Sequence, residues 1–212
     1  MNIQRHPFGG RGFESYSEDA VLTGELATAY VNGIQSKGIG ASPKHLVCNE
    51  CELFRTESDS IVDDVTLREM YLLPFQICLK KAKPWTIMAA YNKLNGESCT
   101  ENSWLLTQLL RKEWGFEGLT MSDWDAVYSQ IEPVKAGCNL EMPGPSIHRG
   151  AKLVDNVKSG AISMEEVDMN VKRILELSAN AGMDDESAPE KVIVDPAIAK
   201  IARQAAEEES FS

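Results

Sequence analysis

Two rhythms of apolar positions alternate along this chain, and they predict strands followed by helices. Leu22, Leu26, Tyr30 and Ile34 share one helical face behind an N-cap at Ser17, and Gly38-Ile-Gly40 ends that helix. A strand is expected from Ile39 to Val47, finishing near Lys44-His45. Thr66 opens a second helix, with Leu67, Met70 and Leu73-Pro74 before a run to Lys81. Thr86 to Tyr91 is a short apolar strand, bounded by the turn signal Asn95-Gly96. Asn102 begins a helix carrying Leu105, Leu106, Leu109 and Leu110 and closed by Gly115. Gly118 to Ser122 is a strand that delivers Asp123-Trp124, and Cys138 to Met142 is a fourth, stopped by Pro143-Gly-Pro145. A helix from about Ile147 to Lys158 precedes another with Met164, Val167, Val171, Ile174 and Leu175 on its inner face.

Alternating strands and helices imply parallel pairing with helical crossovers. An open doubly wound sheet and part of an eight-stranded β/α barrel both fit. His45, Tyr91, Asp123 and Glu141 each fall at the C-terminal end of an expected strand, where β/α barrels carry their chemistry, and this favours the barrel. Four strands are half of what a (β/α)8 TIM-type barrel needs, so the expectation is an incomplete α/β barrel lacking its first strands. It should occupy residues 1–183. Asp184 to Pro189 is acidic and turn-rich, and Ala197 to Glu209 is an alanine- and glutamate-rich helix. Residues 184–212 therefore read as a linker and the start of a segment leading to a second α/β sandwich domain outside this chain.

The chain has 212 residues and a net charge of −11, which argues against nucleic acid as a partner and suits a neutral ligand such as a sugar. No apolar run approaches the ~18–20 residues of a membrane span. Met1 to Arg11 has no apolar run of a secretory signal; if the chain begins inside a longer protein, cytoplasmic and secreted locations both stay open. Oligomeric state is left open too. The five cysteines are scattered and odd in number, unlike a disulfide framework. Cys48-Asn-Glu-Cys51 is a C-x-x-C with no second pair nearby to complete a zinc site, so no metal is expected.

The glycine-rich stretch Gly9 to Glu14 lacks the Lys-Ser/Thr of a P-loop and reads as a loop holding Arg11 near a ligand. Lys44-His45 could form a cationic hydrogen-bonding pair or simply pack. Asp123 at a strand end beside Trp124 could attack or stabilise an anomeric carbon while the indole stacks on a sugar face; a turn or cap role is the alternative.

Five stretches taken together resemble the catalytic barrel of glycoside hydrolase family 3, most closely its yeast and fungal β-glucosidases. They are Gly10 to Asp19, Pro43 to Glu50, Met88 to Gly96, Met121 to Trp124 and Leu140 to Gly144. They run in family order and span nearly the whole chain. The resemblance implies that Asp123 is the catalytic nucleophile and Trp124 the aromatic wall beside it. Arg11, Lys44, His45 and Tyr91 match residues that grip the sugar hydroxyls or position the nucleophile; Arg55 and Met88 are weaker matches to pocket residues. It implies hydrolysis of terminal non-reducing β-D-glucosyl residues with retention, on a small β-glucoside or short β-glucan, with no cofactor. The family's sugar-binding aspartate would precede Met1 and its acid/base glutamate would lie in the second domain, so the chain alone is expected to be inactive. Rival readings are a β-xylosidase of the family, disfavoured by Ser122-Asp-Trp124, a β-N-acetylhexosaminidase, disfavoured by Val47 to Glu50, and a non-catalytic sugar-binding remnant.

Overall fold

The computed structural model describes residues 1–183 and 195–209, which form two units, Met1–Gly182 and Met183–Ser212. In the first, a 3₁₀ turn at Gly12–Glu14 precedes α1 (Ala20–Gln35), β1 (Lys44–Leu46), β2 (Asp59–Ser60) and α2 (Asp64–Thr66). A π-wound turn, Leu67–Tyr71, leads into α3 (Leu73–Ala82), then β3 (Thr86–Ala89), β4 (Lys93–Leu94) and β5 (Glu97–Ser98). A π-wound helix, Trp104–Glu113, is followed by β6 (Leu119–Trp124), α4 (Glu132–Ala136), β7 (Leu140–Met142), α5 (Ala151–Lys158) and α6 (Met164–Asn180). The second unit contains α7 (Pro196–Glu209), started by Asp195, whose carboxylate accepts from the Ala197 amide at 2.8 Å. The expected linker at 184–189 lies outside the described residues.

Four strands form one all-parallel sheet in the order β1-β3-β6-β7. Leu105, Leu106, Leu109, Leu110 and Phe75 form one buried core cluster with Ile87 and Ala89 of β3, all essentially without solvent contact. Parallel strands covered by helices read as continuous apolar runs, as Thr86 to Ala89 does. A small second sheet pairs β2 parallel to β4 and β4 antiparallel to β5 across the Asn95-Gly96 turn, where both residues have positive φ. Asn95 also exchanges two 2.9 Å hydrogen bonds with the Val62 backbone, tying down the chain that follows β2.

The lower end of the sheet is fixed by a buried guanidinium. Arg111 donates to the carbonyls of Phe116 and Gly118 at 3.0 and 2.8 Å, to Thr120 Oγ1 at 3.0 Å and to Asn139 Oδ1 at 2.8 Å. Gly118 is required there: a Cβ would lie 2.3 Å from the Trp85 carbonyl oxygen, which accepts the Leu119 amide and starts the β3–β6 ladder.

Two expected helix faces are turned. In α1 the buried residues are Thr23, Gly24, Ala27, Thr28 and Val31, while Leu22, Leu26 and Tyr30 are exposed. Small residues face α3 because they allow close approach: a Cβ on Gly24 would sit 2.9 Å from Ile77. In α6 the face is centred on Asn170, which accepts from Asn139 Nδ2 at 2.9 Å, with Met164, Val171 and Leu175 outward. A hydrogen-bonded polar side chain there outranks apolar spacing. Asp19, not Ser17, caps α1, accepting the Leu22 amide at 2.7 Å. The first strand covers only Lys44–Leu46, and Ile39 is exposed. The expected start of α5 at Ile147 is lost because the Glu141 carboxylate captures the Ile147 and His148 amides at 2.8 and 3.0 Å. Glu141 is thus a buried loop clamp rather than a free strand-end carboxylate.

Candidate active site

Both strands that carry the central residues are bulged. Lys44 pairs with Met88 and Leu46 with Ala89, so β1 advances two residues while β3 advances one, and His45 is the extra residue. Met121 pairs with Leu140 and Trp124 with Met142, so β6 advances three while β7 advances two, just at Ser122-Asp123. A bulge re-aims a side chain that regular pleating would send elsewhere. Ser122 mends the broken ladder by accepting the Met142 amide on its Oγ at 2.9 Å.

His45 Nε2 consequently lies 3.2 Å from Asp123 Oδ2 and 3.1 Å from Arg11 Nη2. The imidazole is buried, and burial, reinforced by the positive charges of Arg11 and Lys44, holds its pKa down to about 2. The ring is therefore neutral, with one acceptor nitrogen. Arg11 can only donate, so Nε2 accepts from it and the proton sits on Nδ1, 3.9 Å from Glu14 Oε2. Arg11 is in turn gripped by Glu14, donating from Nε at 3.0 Å and from Nη2 at 3.1 Å, with Glu52 Oε1 3.6 Å from Nε.

This arrangement leaves the two oxygens of Asp123 unequal. Oδ1 accepts the Trp124 amide at 2.8 Å, whereas buried Oδ2 receives no hydrogen bond from the protein. Burial raises the carboxyl pKa above its usual range, opposed by the Trp124 amide and by the charges of Arg11, Lys44 and Arg55.

Tyr91 lies just beyond β3 with its ring buried beneath the Arg55 guanidinium, 4.6 Å from ring centroid to Cζ. The Tyr128 hydroxyl reaches the carbonyls of Tyr91 at 2.9 Å and Thr56 at 3.2 Å, bridging the two segments that carry this stack. Met88 is buried in β3 between Lys44 and Met121. Trp124 is half exposed beside Asp123, and the Lys44 side chain is exposed. The structure thus brings Arg11, His45 and Asp123 into one contact chain and pairs Arg55 with Tyr91. Lys44 reaches the group only through its charge. Glu14, Glu52 and Tyr128 were not singled out from the sequence; the three-residue spacing of Arg11 and Glu14 was the one available signal.

The Cys48-Asn-Glu-Cys51 pair separates, Cys48 buried with its thiol pKa pushed up by burial and Cys51 exposed. Among the described residues, no group of three or more His, Cys, Asp or Glu side chains is arranged to hold a metal.

The sequence profile of the family described as "Glycosyl hydrolase family 3 N terminal domain" matches residues 1–177. The chain belongs to that family. Among its glycosyl hydrolase family 3 relatives, a Rhizobium radiobacter protein named beta-glucosidase is 50% identical over 190 residues, covering 90% of this chain and 23% of its own length. A probable beta-glucosidase J of Emericella nidulans is 46% identical over 91% of this chain and 23% of its own. Beta-glucosidase 3B of Thermotoga neapolitana, solved in complex with glucose, superposes with a TM-score of 0.81 at 48% identity, covering 85% of this chain and 26% of that one. The family 3 chain described here therefore spans about a quarter of the length of these relatives.

The buried groups make a pH prediction about this family 3 chain. His45 is depressed to about 2, so its contribution to stability is whole above the ordinary imidazole value and is lost as pH falls below it. Glu50, raised to about 7 by burial, acts oppositely and stabilises progressively as pH falls from 7 toward its ordinary value. Between about pH 4.5 and 6.5 the two slopes cancel, each being about 1.4 kcal/mol per pH unit. Denaturant unfolding across that window should show Glu50→Gln losing stability with acid while the parent chain stays nearly flat. Identical slopes in the two proteins would contradict the assignment.

Proposed function

We propose that this segment belongs to a retaining β-glucosidase and supplies its nucleophile, Asp123. The observation that carries the reading is the inequality of the Asp123 oxygens: one is anchored by the next amide and the other is buried without a hydrogen bond. An attacking oxygen has to be free, oriented and poorly solvated. In this mechanism Oδ2 bonds to the anomeric carbon as the bond to the aglycone oxygen breaks, and the aglycone takes a proton from an acid that lies outside this chain. Water then attacks the same carbon, gives up a proton to the conjugate base, and releases β-glucose and the Asp123 carboxylate.

The neighbouring groups support a neutral polyol substrate. The charges of Arg11 and Lys44 oppose the rise that burial imposes on the Asp123 carboxyl pKa, and Trp124 is exposed enough to stack on a sugar ring. The four parallel strands are read as half of an eight-stranded β/α barrel, with the site at their C-terminal ends.

The test uses a chimera in which residues 1–177 replace the matching segment of the Thermotoga neapolitana beta-glucosidase 3B. Treatment with 2,4-dinitrophenyl 2-deoxy-2-fluoro-β-glucoside needs little acid catalysis and should trap a glycosyl ester. Peptide mapping should find the added mass on Asp123; a label on Glu14, Glu50 or Glu141 would assign the chemistry elsewhere.

A further inference from the structure

We propose that Tyr128 is a positioning residue of the candidate site. Its hydroxyl ties the loop carrying Arg55 to the strand end carrying Tyr91, and so holds the Arg55 guanidinium over the Tyr91 ring. The hydroxyl faces two carbonyl oxygens, that of Tyr91 at 2.9 Å and that of Thr56 at 3.2 Å. A phenol has one proton to donate, so the two carbonyls share it and both must stay close to one point. Thr56 is the residue after Arg55, and Tyr91 is the residue whose ring Arg55 covers at 4.6 Å.

The loop needs such a tie. The Glu57 and Ser58 amides both donate to the Phe54 carbonyl at 2.8 Å, and the Ser58 hydroxyl donates to the Arg55 carbonyl at 3.4 Å. Those bonds close the turn on itself, around a Phe54 held at a φ of 50°, which is strained for a residue with a side chain. Among the described residues, the one hydrogen bond joining the backbone of residues 54–57 to a distant part of the chain comes from Tyr128. The Arg55 side chain is 40% exposed and meets Glu52 at 3.4 Å. Neither an exposed ion pair nor an exposed cation–π contact fixes a long side chain firmly.

The other end of the tie is anchored. Tyr128 follows β6 on a stretch where the Asp125 amide donates to Met142 at 2.9 Å and the Ala126 amide to Asp123 at 3.2 Å. The Thr100 hydroxyl donates to the Ala126 carbonyl at 2.6 Å, and Ala126 and Val127 are buried. The strand that carries Asp123 therefore carries the phenol as well, and sets Arg55 relative to that carboxylate. The electrostatics agree. Arg55 acts with Arg11 and Lys44 against the rise that burial imposes on the Asp123 pKa, and the Tyr91 pKa is raised by burial and then by the Asp123 charge.

Tyr128→Phe removes the hydroxyl and keeps the ring, and two readouts follow it. In the 212-residue chain, the Arg55 δ-methylene protons should be shifted upfield by the Tyr91 ring, with Tyr91→Leu giving their position without it. Tyr128→Phe should lose most of that shift while the amide signals of β3 and β6 stay in place. Retention of the shift overturns the inference, and so does a loss in which the strand signals move, since Tyr128 would then serve the fold alone. The second readout rests on the glucosidase reading. In the chimera, Tyr128→Phe should raise KM for an aryl β-glucoside about tenfold at nearly constant kcat, as losing a contact made equally to substrate and transition state does. Arg55→Met should do the same, and the double variant should be no worse than Arg55→Met, because both changes remove one contact. Additive losses overturn the inference. A chimera without turnover counts against the glucosidase reading, and the NMR result then decides the inference alone.

Discussion

Asp123→Ala in the chimera is expected to lower kcat on an aryl β-glucoside by about 10⁴–10⁶-fold, the scale on which removing a covalent nucleophile acts. The fold should survive, because the carboxylate's one hydrogen bond is to the adjacent Trp124 amide and its other oxygen touches His45 Nε2 at 3.2 Å without a hydrogen bond. Loss of the carboxylate leaves a small space against the anomeric carbon, so added azide should restore part of the rate and give the α-glucosyl azide, with one inversion instead of two. Azide rescue yielding the β-azide, or a loss of less than about tenfold, would remove Asp123 from the reaction coordinate.

Arg11→Met is expected to have the second largest effect, about 10²–10³-fold on kcat/KM, comparable to deleting one preorganised electrostatic group from an active site. Arg11 links Glu14, Glu52 and His45, and its charge lowers the pKa of Asp123. Without that charge the carboxyl should protonate at higher pH, so the acidic limb of the kcat/KM profile moves upward. The same loss of charge relieves His45, whose neutral form Arg11 helps to enforce. The sign matters: a variant that merely loosened the fold would lower activity without moving the limb. Cys51→Ser, at an exposed thiol, should leave both rate and profile in place. An acidic limb that stays fixed in Arg11→Met would mean that Asp123 is not the group it reports.

The candidate site residues could be picked out because their types are constrained by chemistry and their order by the chain. Asp123-Trp124 and Tyr91 fall at or just beyond strand C-termini, whereas Lys44-His45, expected at a strand end, open the short β1; the apolar runs of Thr86 to Ala89 and Leu119 to Ser122 leave little choice of element. Glu141 shared that placement and was read as part of the same set, but two backbone amides occupy it. Nothing in a sequence pattern says whether a strand-end carboxylate faces a ligand or a loop.

The sequence by itself determined the alternation of strands and helices and which residues could do chemistry, since those depend on periodicity and residue type, and its five motif stretches carried the resemblance to the family. Only the tertiary structure decided which way the residues point. The bulges at His45 and at Ser122-Asp123 arise from mismatched advance between paired strands, a property of two segments that neither carries alone. The same holds for α1 and α6, where close approach to α3 and the Asn139–Asn170 hydrogen bond chose the buried face over the apolar stripe. Residue type sets what a side chain can do, but contacts between residues distant in sequence set whether it is placed to do it.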